Sequence, residues 1–146
     1  MEKLNSIIFY NIDKAIRSYR SYAQRQLRAH GFKITIDQWL IIKALLENPG
    51  ITQNEIGDLV FKDNASVTRI IDLLVKSEFI TRDTHLTDRR KTNLKVTGSG
   101  KKIITEVQTL VESNRKIALA NISDSELAIT NAVLAKISEN CNNLKK

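Results

Sequence analysis

The chain has 146 residues, of which 42% are hydrophobic and 27% are charged, a composition expected of one ordinary globular domain with a sizeable core. Its net charge of +7 favours a polyanionic partner, although many solvated surfaces are equally basic. No apolar run is long enough to span a membrane and no signal peptide pattern is present, so we expect no membrane association and a cytoplasmic location. The single Cys141 excludes an internal disulfide framework and agrees with a reducing compartment.

A long helical pattern opens the chain, from Glu2 to His30, and Gly31 is placed to end it. The segment from Glu2 to Lys33 has a net charge of +5, which is most of the excess in the whole chain. Some of these basic side chains could reach the backbone of a polyanion such as DNA, but we expect most of them to be solvated surface charges. The apolar side chains that lie near one stripe of this helix are Ile8, Ile12, Ala15, Ile16, Tyr19, Ala23 and Leu27.

The second predicted helix begins with a capping box, Thr35 with Gln38, and ends before the Pro49–Gly50 pair. Leu40 and Ile41 point away from its main apolar arc, so they either meet a neighbouring helix or stay partly exposed. The side chains within the arc, which we expect in the core, are Trp39, Ile42, Leu45 and Leu46.

Two short helices follow in close succession. Thr52 and Glu55 form a second capping box, and Asp63 or Asn64 can cap the next helix. The first of these helices should carry Ile56, Leu59 and Val60 inward. The second has an apolar stripe of Val67, Ile70, Ile71, Leu74 and Val75.

The opposite face of the second short helix has the side chains expected of a DNA-reading surface. Small residues allow a close approach of the backbone to DNA, hydroxyl groups bond phosphates or bases, and arginine can form paired hydrogen bonds with guanine. We therefore predict that this helix enters a major groove. Its predicted contact residues are Asn64, Ala65, Ser66, Thr68, Arg69, Asp72 and Lys76.

After Phe79 the hydrophobic pattern changes from helical to alternating, which predicts two strands joined in a hairpin. The segment between the two strands has three basic residues in succession, at positions 89–91. A basic hairpin tip can reach a minor groove or the phosphates beside it. Thr52 to Thr97 contains eight basic and seven acidic residues, so the prediction depends on where the charges point rather than on their sum. Helix, turn, helix, strand, basic tip and strand make a winged helix. The predicted DNA contacts at the tip are Asp88, Arg89, Arg90 and Lys91.

Four segments carry a family resemblance. ITQNEIGDLV resembles the helix motif L-T-x-x-E-L-A-x-x-L, ASVTRIIDLLVKSEFITR resembles the recognition segment S-V-T-R-x-x-x-x-L-x-x-x-G-x-I-x-R, and DRRKTNLKVTGSGK resembles the wing signature D-x-R-x-x-x-x-x-L-T-x-x-G. NISDSEL, from Asn121, resembles the L-S-x-x-E-L start of the last helix. Together these segments are similar to the multiple antibiotic resistance regulator (MarR) family over nearly the whole chain.

The resemblance implies a dimeric transcriptional regulator whose DNA affinity is lowered by a small-molecule or redox signal. By this resemblance, the family's recognition residues correspond to Ser66, Thr68 and Arg69, and the family's wing residues correspond to Asp88 and Arg90. Glu78 stands where the family usually has glycine, at a helix end that favours a left-handed backbone. Glu78 must therefore adopt that conformation, or the turn differs.

The C-terminal third is predicted to form two helices. Thr97 can cap a helix from Gly98 to about Ala120, and Ser123 with Glu126 forms a third capping box. Their apolar stripes are too long for the small winged domain to cover, so the terminal helices either form a shared dimer core or pack on each other within one chain. The resemblance favours the dimer. We thus predict a mainly α fold, one domain over 1–146, with a winged helix-turn-helix at 35–97 and dimerisation helices at 1–34 and 98–146.

Catalytic and metal-binding motifs are not found in the sequence, so we expect neither an enzyme nor a metal or other cofactor. The predicted function is a homodimeric repressor that binds a pseudo-palindromic double-stranded DNA operator and responds to a small-molecule effector. The alternatives are a winged-helix adaptor that binds a protein and a non-specific architectural DNA binder. The aromatic residues that could line an effector pocket, although such a stripe is more often core, are Tyr10, Tyr19, Tyr22 and Trp39.

Overall fold

The computed structural model describes residues 1–84 and 92–144. A short 3-10 turn, Leu4–Ser6, precedes the first helix, so the helical pattern that begins at Glu2 is interrupted before Ile8. The predicted mainly α fold with one small hairpin is confirmed. Its elements are α1 (Ile8–Ala29), α2 (Ile36–Glu47), α3 (Gln53–Val60), α4 (Asn64–Lys76), β1 (Ile80–Thr84), β2 (Thr92–Val96), α5 (Gly98–Ala118) and α6 (Asp124–Asn143).

The chain divides into two compact units, Met1–Asn114 and Arg115–Lys146. The first unit has a continuous hydrophobic core to which α1, α2, α3, α4, the hairpin and α5 all contribute. Burying aliphatic side chains of this size is the main stabilising contribution to such a fold. The core residues are Leu27, Ile34, Ile41, Ile42, Leu45, Ile56, Val67, Ile71, Leu74, Ile80, Leu94, Ile104 and Val107.

Side-chain caps start five of the helices, at the residues that the sequence predicted. Thr35, Thr52 and Ser123 each accept a hydrogen bond from the backbone three residues later, and the Gln or Glu at that position bonds back to the cap. Asp63 caps α4, and Thr97 Oγ1 accepts from Gly100 N at 3.0 Å at the start of α5. Because these signals are local in sequence, they locate the helix starts reliably.

Two predictions about the core were wrong in part. Leu59 was expected to point inward but is 51% exposed, because the buried side of α3 is centred on Ile56 and Gly57. At Gly57 a Cβ atom would lie 2.8 Å from the carbonyl oxygen of Lys62, so the chain approaches α3 on the glycine side. In α2, Trp39 and Leu46 are only half-buried, whereas Ile41, which points away from the predicted arc, meets neighbouring elements and is fully buried. Helix α2 is thus covered on more than one face.

The hairpin is antiparallel and pairs Ile80 with Val96 and Arg82 with Leu94. Ile80 and Leu94 are buried in the core, while Thr81, Asp83 and Lys95 are exposed. The predicted alternation is therefore confirmed, and one face of the hairpin covers the helix-turn-helix. Thr97 closes the hairpin base, since its N–H donates to Phe79 O at 3.0 Å and its hydroxyl donates to Glu78 O at 2.6 Å.

Glu78 adopts the left-handed conformation that this position requires, with φ of 66°. A side chain with a Cβ is strained there by roughly 1–2 kcal/mol, partly offset because glycine loses more entropy on folding. We expect Glu78→Gly to raise the free energy of unfolding by about 0.5–1 kcal/mol. Urea denaturation at pH 7 would measure the change.

Ser77→Gly is the matched control for this substitution, because Ser77 ends the same helix with φ of −81°. Glycine relieves no strain at a right-handed position and should lower the stability slightly. Equal effects of Glu78→Gly and Ser77→Gly would contradict the strain at Glu78.

Both units leave apolar side chains exposed. On the first unit many of these lie between Leu4 and Ile16, in the 3-10 turn and the N-terminal part of α1, and others are found in α3, α4 and the turn between them. In the second unit no residue between 115 and 144 is buried. None of the helices that the structure describes is long and apolar enough to cross a membrane. The large exposed apolar residues of the second unit are Ile117, Leu119, Ile122, Ile129, Val133, Leu134 and Leu144.

Candidate nucleic-acid interface

Helix α4 presents a largely polar face to solvent, in which Leu73, 53% exposed, is the one large apolar side chain. Its buried side holds Val67, Ile71 and Leu74, which fix the rotation of the helix about its axis. The predicted orientation of α4 is confirmed by the burial pattern. On the outer side Asn64, Ala65, Arg69, Asp72 and Lys76 are exposed, and Ser66 and Thr68 at the edges are half-buried.

The N-terminus of α4 is capped by Asp63. Its Oδ1 accepts a hydrogen bond from Ser66 N at 2.7 Å. Hydrogen bonds from the Ser66 backbone and side chain lower the pKa of the Asp63 carboxyl below its usual range, and the charges of Arg69 and Lys62 lower it further. The ionised cap therefore stabilises the first turn of the helix that carries the candidate interface.

This pKa shift predicts a pH dependence of stability. Because the carboxyl pKa is lower in the folded than in the unfolded chain, its contribution is present above about pH 3.9 and is lost as pH falls through the folded pKa. An asparagine in place of Asp63 would cap without titrating, since the two residue types are comparable N-caps. Between pH 5 and pH 3 the wild type should therefore lose more stability in urea denaturation than Asp63→Asn. Equal losses of stability in the two proteins would contradict the assignment of this pH dependence to the Asp63 carboxyl.

An ion pair joins the outer face of α4 to the hairpin. Arg82 Nη2 on β1 lies 2.7 Å from Asp72 Oδ1, and both side chains are partly exposed. The pair contributes about 0.2–1 kcal/mol to stability and neutralises a carboxylate that would otherwise repel phosphates. Arg82 was not among the residues predicted for the site, although the alternating pattern placed it opposite Thr81 and Asp83.

A second residue missed by the sequence interpretation is Gln53, the first residue of α3. Its Nε2 donates to Asn64 Oδ1 at 3.0 Å and to Thr68 Oγ1 at 2.6 Å. Gln53 thus connects α3 with two of the predicted contact residues on α4. Nothing in the local spacing of the sequence signals these bonds, because they join residues 11 and 15 positions apart.

Asp37 of α2 contacts the turn between α3 and α4 through an ion pair with Lys62. The Asp37 carboxylate bonds Arg20 of α1, and its other oxygen lies 3.2 Å from Lys62 Nζ. All three side chains are partly buried, so solvent screens them less than a surface pair. The cluster links α1, α2 and the turn that precedes the interface helix.

The remaining predicted site residues are the four at the wing tip and the four aromatic residues. Asp88, Arg89, Arg90 and Lys91 lie outside the described residues. Tyr10 helps to line an open N-terminal concavity of about 610 Å³, together with residues 1–5 and Lys14. Tyr19, Tyr22 and Trp39 are half-buried and do not line that concavity.

Two further observations concern binding groups within residues 1–84 and 92–144. The indole Nε1 of Trp39 is buried there without a hydrogen-bond partner, while Lys43 Nζ lies 5.9 Å from the centre of the indole ring. Over the same described ranges, no group of three or more His, Cys, Asp or Glu side chains is arranged to hold a metal ion.

Two capped helices, a short turn and an antiparallel hairpin that packs on them define the winged helix-turn-helix class. Residues 34–92 match the model of the MarR family. This part of the chain is accordingly a MarR-family winged helix-turn-helix domain.

A relative from Thauera aromatica, described as a putative transcriptional regulatory protein for the hcr operon, is 25% identical over 111 residues. The match covers 76% of this chain and 66% of that protein, so the chain spans just under two thirds of its relative.

Solved structures support the same fold. MepR of S. aureus, solved as a complex with DNA, superposes with a TM-score of 0.82 at 21% identity, covering 92% of this chain and 98% of MepR. BpsR of Bordetella bronchiseptica, described with a mechanism by which 6-hydroxynicotinic acid regulates its DNA binding, gives a TM-score of 0.81 at 18% identity, covering 90% and 98% of the two chains. At these identities the likeness establishes the shared fold.

Proposed function

We propose that the protein is a sequence-specific DNA-binding regulator of transcription, and not an enzyme. The observation that carries the proposal is the exposed face of α4, where small, hydroxyl, amide and basic side chains stand on a helix fixed by its buried stripe. A second helix of a helix-turn-helix binds DNA by placing such a face in the major groove. The helix from Asn64 to Ser77 enters the major groove, and Arg90 of the wing binds the neighbouring minor groove or backbone.

The active form is a homodimer. Apolar side chains along α1 and throughout the second unit are exposed on the single chain, and a second copy would cover them. A two-fold dimer requires a pseudo-palindromic operator with half-site centres about 10 base pairs apart. Repression is the expected effect on transcription, in the cytoplasm, and a small-molecule effector lowers the affinity. The DNA binding of BpsR is likewise described as regulated by a small molecule, 6-hydroxynicotinic acid.

A second candidate, a winged-helix adaptor for a protein partner, has one observation in its favour. Phe61 is 93% exposed at the turn between α3 and α4, and Leu59 beside it is also exposed. Large apolar side chains close together at a surface mark protein-binding sites in many folds.

Salt dependence separates these functions. A regulator that neutralises several phosphates loses affinity with salt, with a log–log slope of roughly −0.9 per phosphate. We expect tight binding to a duplex from the gene's own upstream region, weaker binding to a shuffled duplex, and a steep salt slope for both. Fluorescence anisotropy at two salt concentrations would measure all three.

Each alternative gives a different result in the same measurement. Equal affinity for the two duplexes would favour the architectural binder, or an operator elsewhere in the genome. Absence of binding at either salt concentration would favour the protein-binding adaptor.

A further inference from the structure

Three polar side chains form a closed hydrogen-bond cluster where α3 meets the first turn of α4. Gln53 Nε2 donates to Asn64 Oδ1 at 3.0 Å and to Thr68 Oγ1 at 2.6 Å. Thr68 Oγ1 in turn donates to the backbone carbonyl of Asn64 at 2.9 Å. Gln53 and Thr68 are half-buried, whereas Asn64 is exposed. The cluster therefore links a residue outside the interface helix to two groups at its start.

The cluster limits what Thr68 can offer to DNA. A hydroxyl has one hydrogen and two lone pairs. The hydrogen is directed to the Asn64 carbonyl, and one lone pair accepts from Gln53. Thr68 consequently has only its methyl group and one lone pair left, and it cannot donate to a phosphate or a base acceptor without breaking a bond. An apolar methyl group is suited to contact the methyl group of thymine.

The same cluster fixes the direction of the Asn64 amide. Because Oδ1 accepts from Gln53, the Nδ2 group with its two hydrogens remains free to donate. Donors at this end of a helix suit phosphate oxygens and base acceptors in the major groove. Gln53 itself has used both amide hydrogens and retains only a carbonyl oxygen, which phosphate repels. Its effect on DNA is therefore indirect.

We propose that Gln53 is a specificity-determining positioning residue that orients Asn64 as a hydrogen-bond donor and makes Thr68 read thymine through its methyl group. This inference rests on the proposed function, since it concerns how the same helix face distinguishes DNA sequences. It adds a residue of α3 to the determinants of specificity and names the base that one position of the operator should contain.

The thymine contact is tested by two substitutions that separate the methyl group from the hydroxyl. Thr68→Val keeps a methyl group and removes the hydroxyl, whereas Thr68→Ser keeps the hydroxyl and removes the methyl group. Wild type and both variants would be used to select duplexes from a random pool. The wild type should prefer thymine at one position of the selected site. The valine variant should keep this preference, and the serine variant should lose it. A lost base contact of this kind reduces the preference by about fivefold or more.

The role of Gln53 is tested in the same selection with Gln53→Met, which keeps the side-chain length and removes the amide. We expect the preferences at the positions read by Asn64 and Thr68 to fall about fivefold, with affinity for random duplex unchanged within about twofold. Asn54→Met is the matched control, because Asn54 is the next residue of α3 and is exposed. It should leave the selected sequences unchanged. Thermal unfolding of each variant would be recorded in parallel.

The possible results distinguish this inference from the function on which it rests. A wild type that selects no sequence would overturn both. If the wild type selects a motif that Gln53→Met selects equally well, or if Thr68→Ser keeps the thymine preference, the inference is wrong and the proposed function stands. A Gln53→Met variant that loses affinity for all duplexes together with thermal stability would reveal a structural role only, which also contradicts the inference.

Discussion

Replacing Gly100 with alanine is expected to lower the free energy of unfolding by about 3 kcal/mol or more. A Cβ atom on Gly100 would lie 2.2 Å from the carbonyl oxygen of Phe79 and 2.7 Å from Val96 Cγ1. The carbonyl cannot easily move away, because it accepts the hydrogen bond from Thr97 N that closes the hairpin base. Alanine at this position would therefore separate α5 from the hairpin. Urea denaturation followed by circular dichroism would measure the loss.

Gly98→Ala is the control for this prediction, since Gly98 begins the same helix two residues earlier. A Cβ atom there meets nothing within 4 Å. Alanine is the better helix former by up to about 1 kcal/mol, so this variant should be as stable as the wild type or slightly more stable. If Gly100→Ala were as stable as Gly98→Ala, the close packing of α5 on the Phe79 carbonyl would be contradicted.

Replacing Arg69 with alanine is expected to cost about 1–3 kcal/mol of binding free energy for the preferred duplex, which is roughly a 5- to 150-fold loss of affinity. Arg69 is exposed on α4, and its Nη2 lies 3.3 Å from Ser66 Oγ. Because it has no part in the core, the variant should fold normally. The shuffled duplex should lose much less affinity, since a base contact acts only on the correct sequence.

Arg115→Ala serves as the charge-matched control, because Arg115 is exposed in the last turn of α5, outside the winged helix-turn-helix. It removes the same charge and should change both affinities only slightly. Anisotropy titrations of wild type and both variants would be compared at one salt concentration. Equal losses for the two variants, or equal losses on the two duplexes, would mean that Arg69 acts by charge alone.

The sequence predicted those features that depend on neighbouring residues. The capping boxes at Thr35, Thr52 and Ser123 are three-residue signals, and each starts a helix as expected. The periodicity from Val67 to Val75 fixed which face of α4 is outward, because a buried stripe determines the rotation of a helix. The left-handed conformation of Glu78 was one of two alternatives left open by the resemblance.

Features that depend on contacts between distant residues were not predictable. The bonds of Gln53 to α4 and of Arg82 to Asp72 require the packing of two elements to be known. The exposure of Leu59 also follows from packing, because the close approach at Gly57 shifts the buried side of a helix only eight residues long.

The proposed function places the outer face of α4 in the DNA groove, and a cleavage reagent tethered to that face tests the placement. The chain has one cysteine, so Cys141→Ser with Lys76→Cys would place an iron–EDTA probe only at the exposed C-terminal end of that face. The dimer should cut its preferred duplex at two symmetric places about 10 base pairs apart, and the shuffled duplex weakly and without pattern. Uniform cutting of both duplexes, or no cutting of a duplex that the labelled protein binds, would contradict the claim.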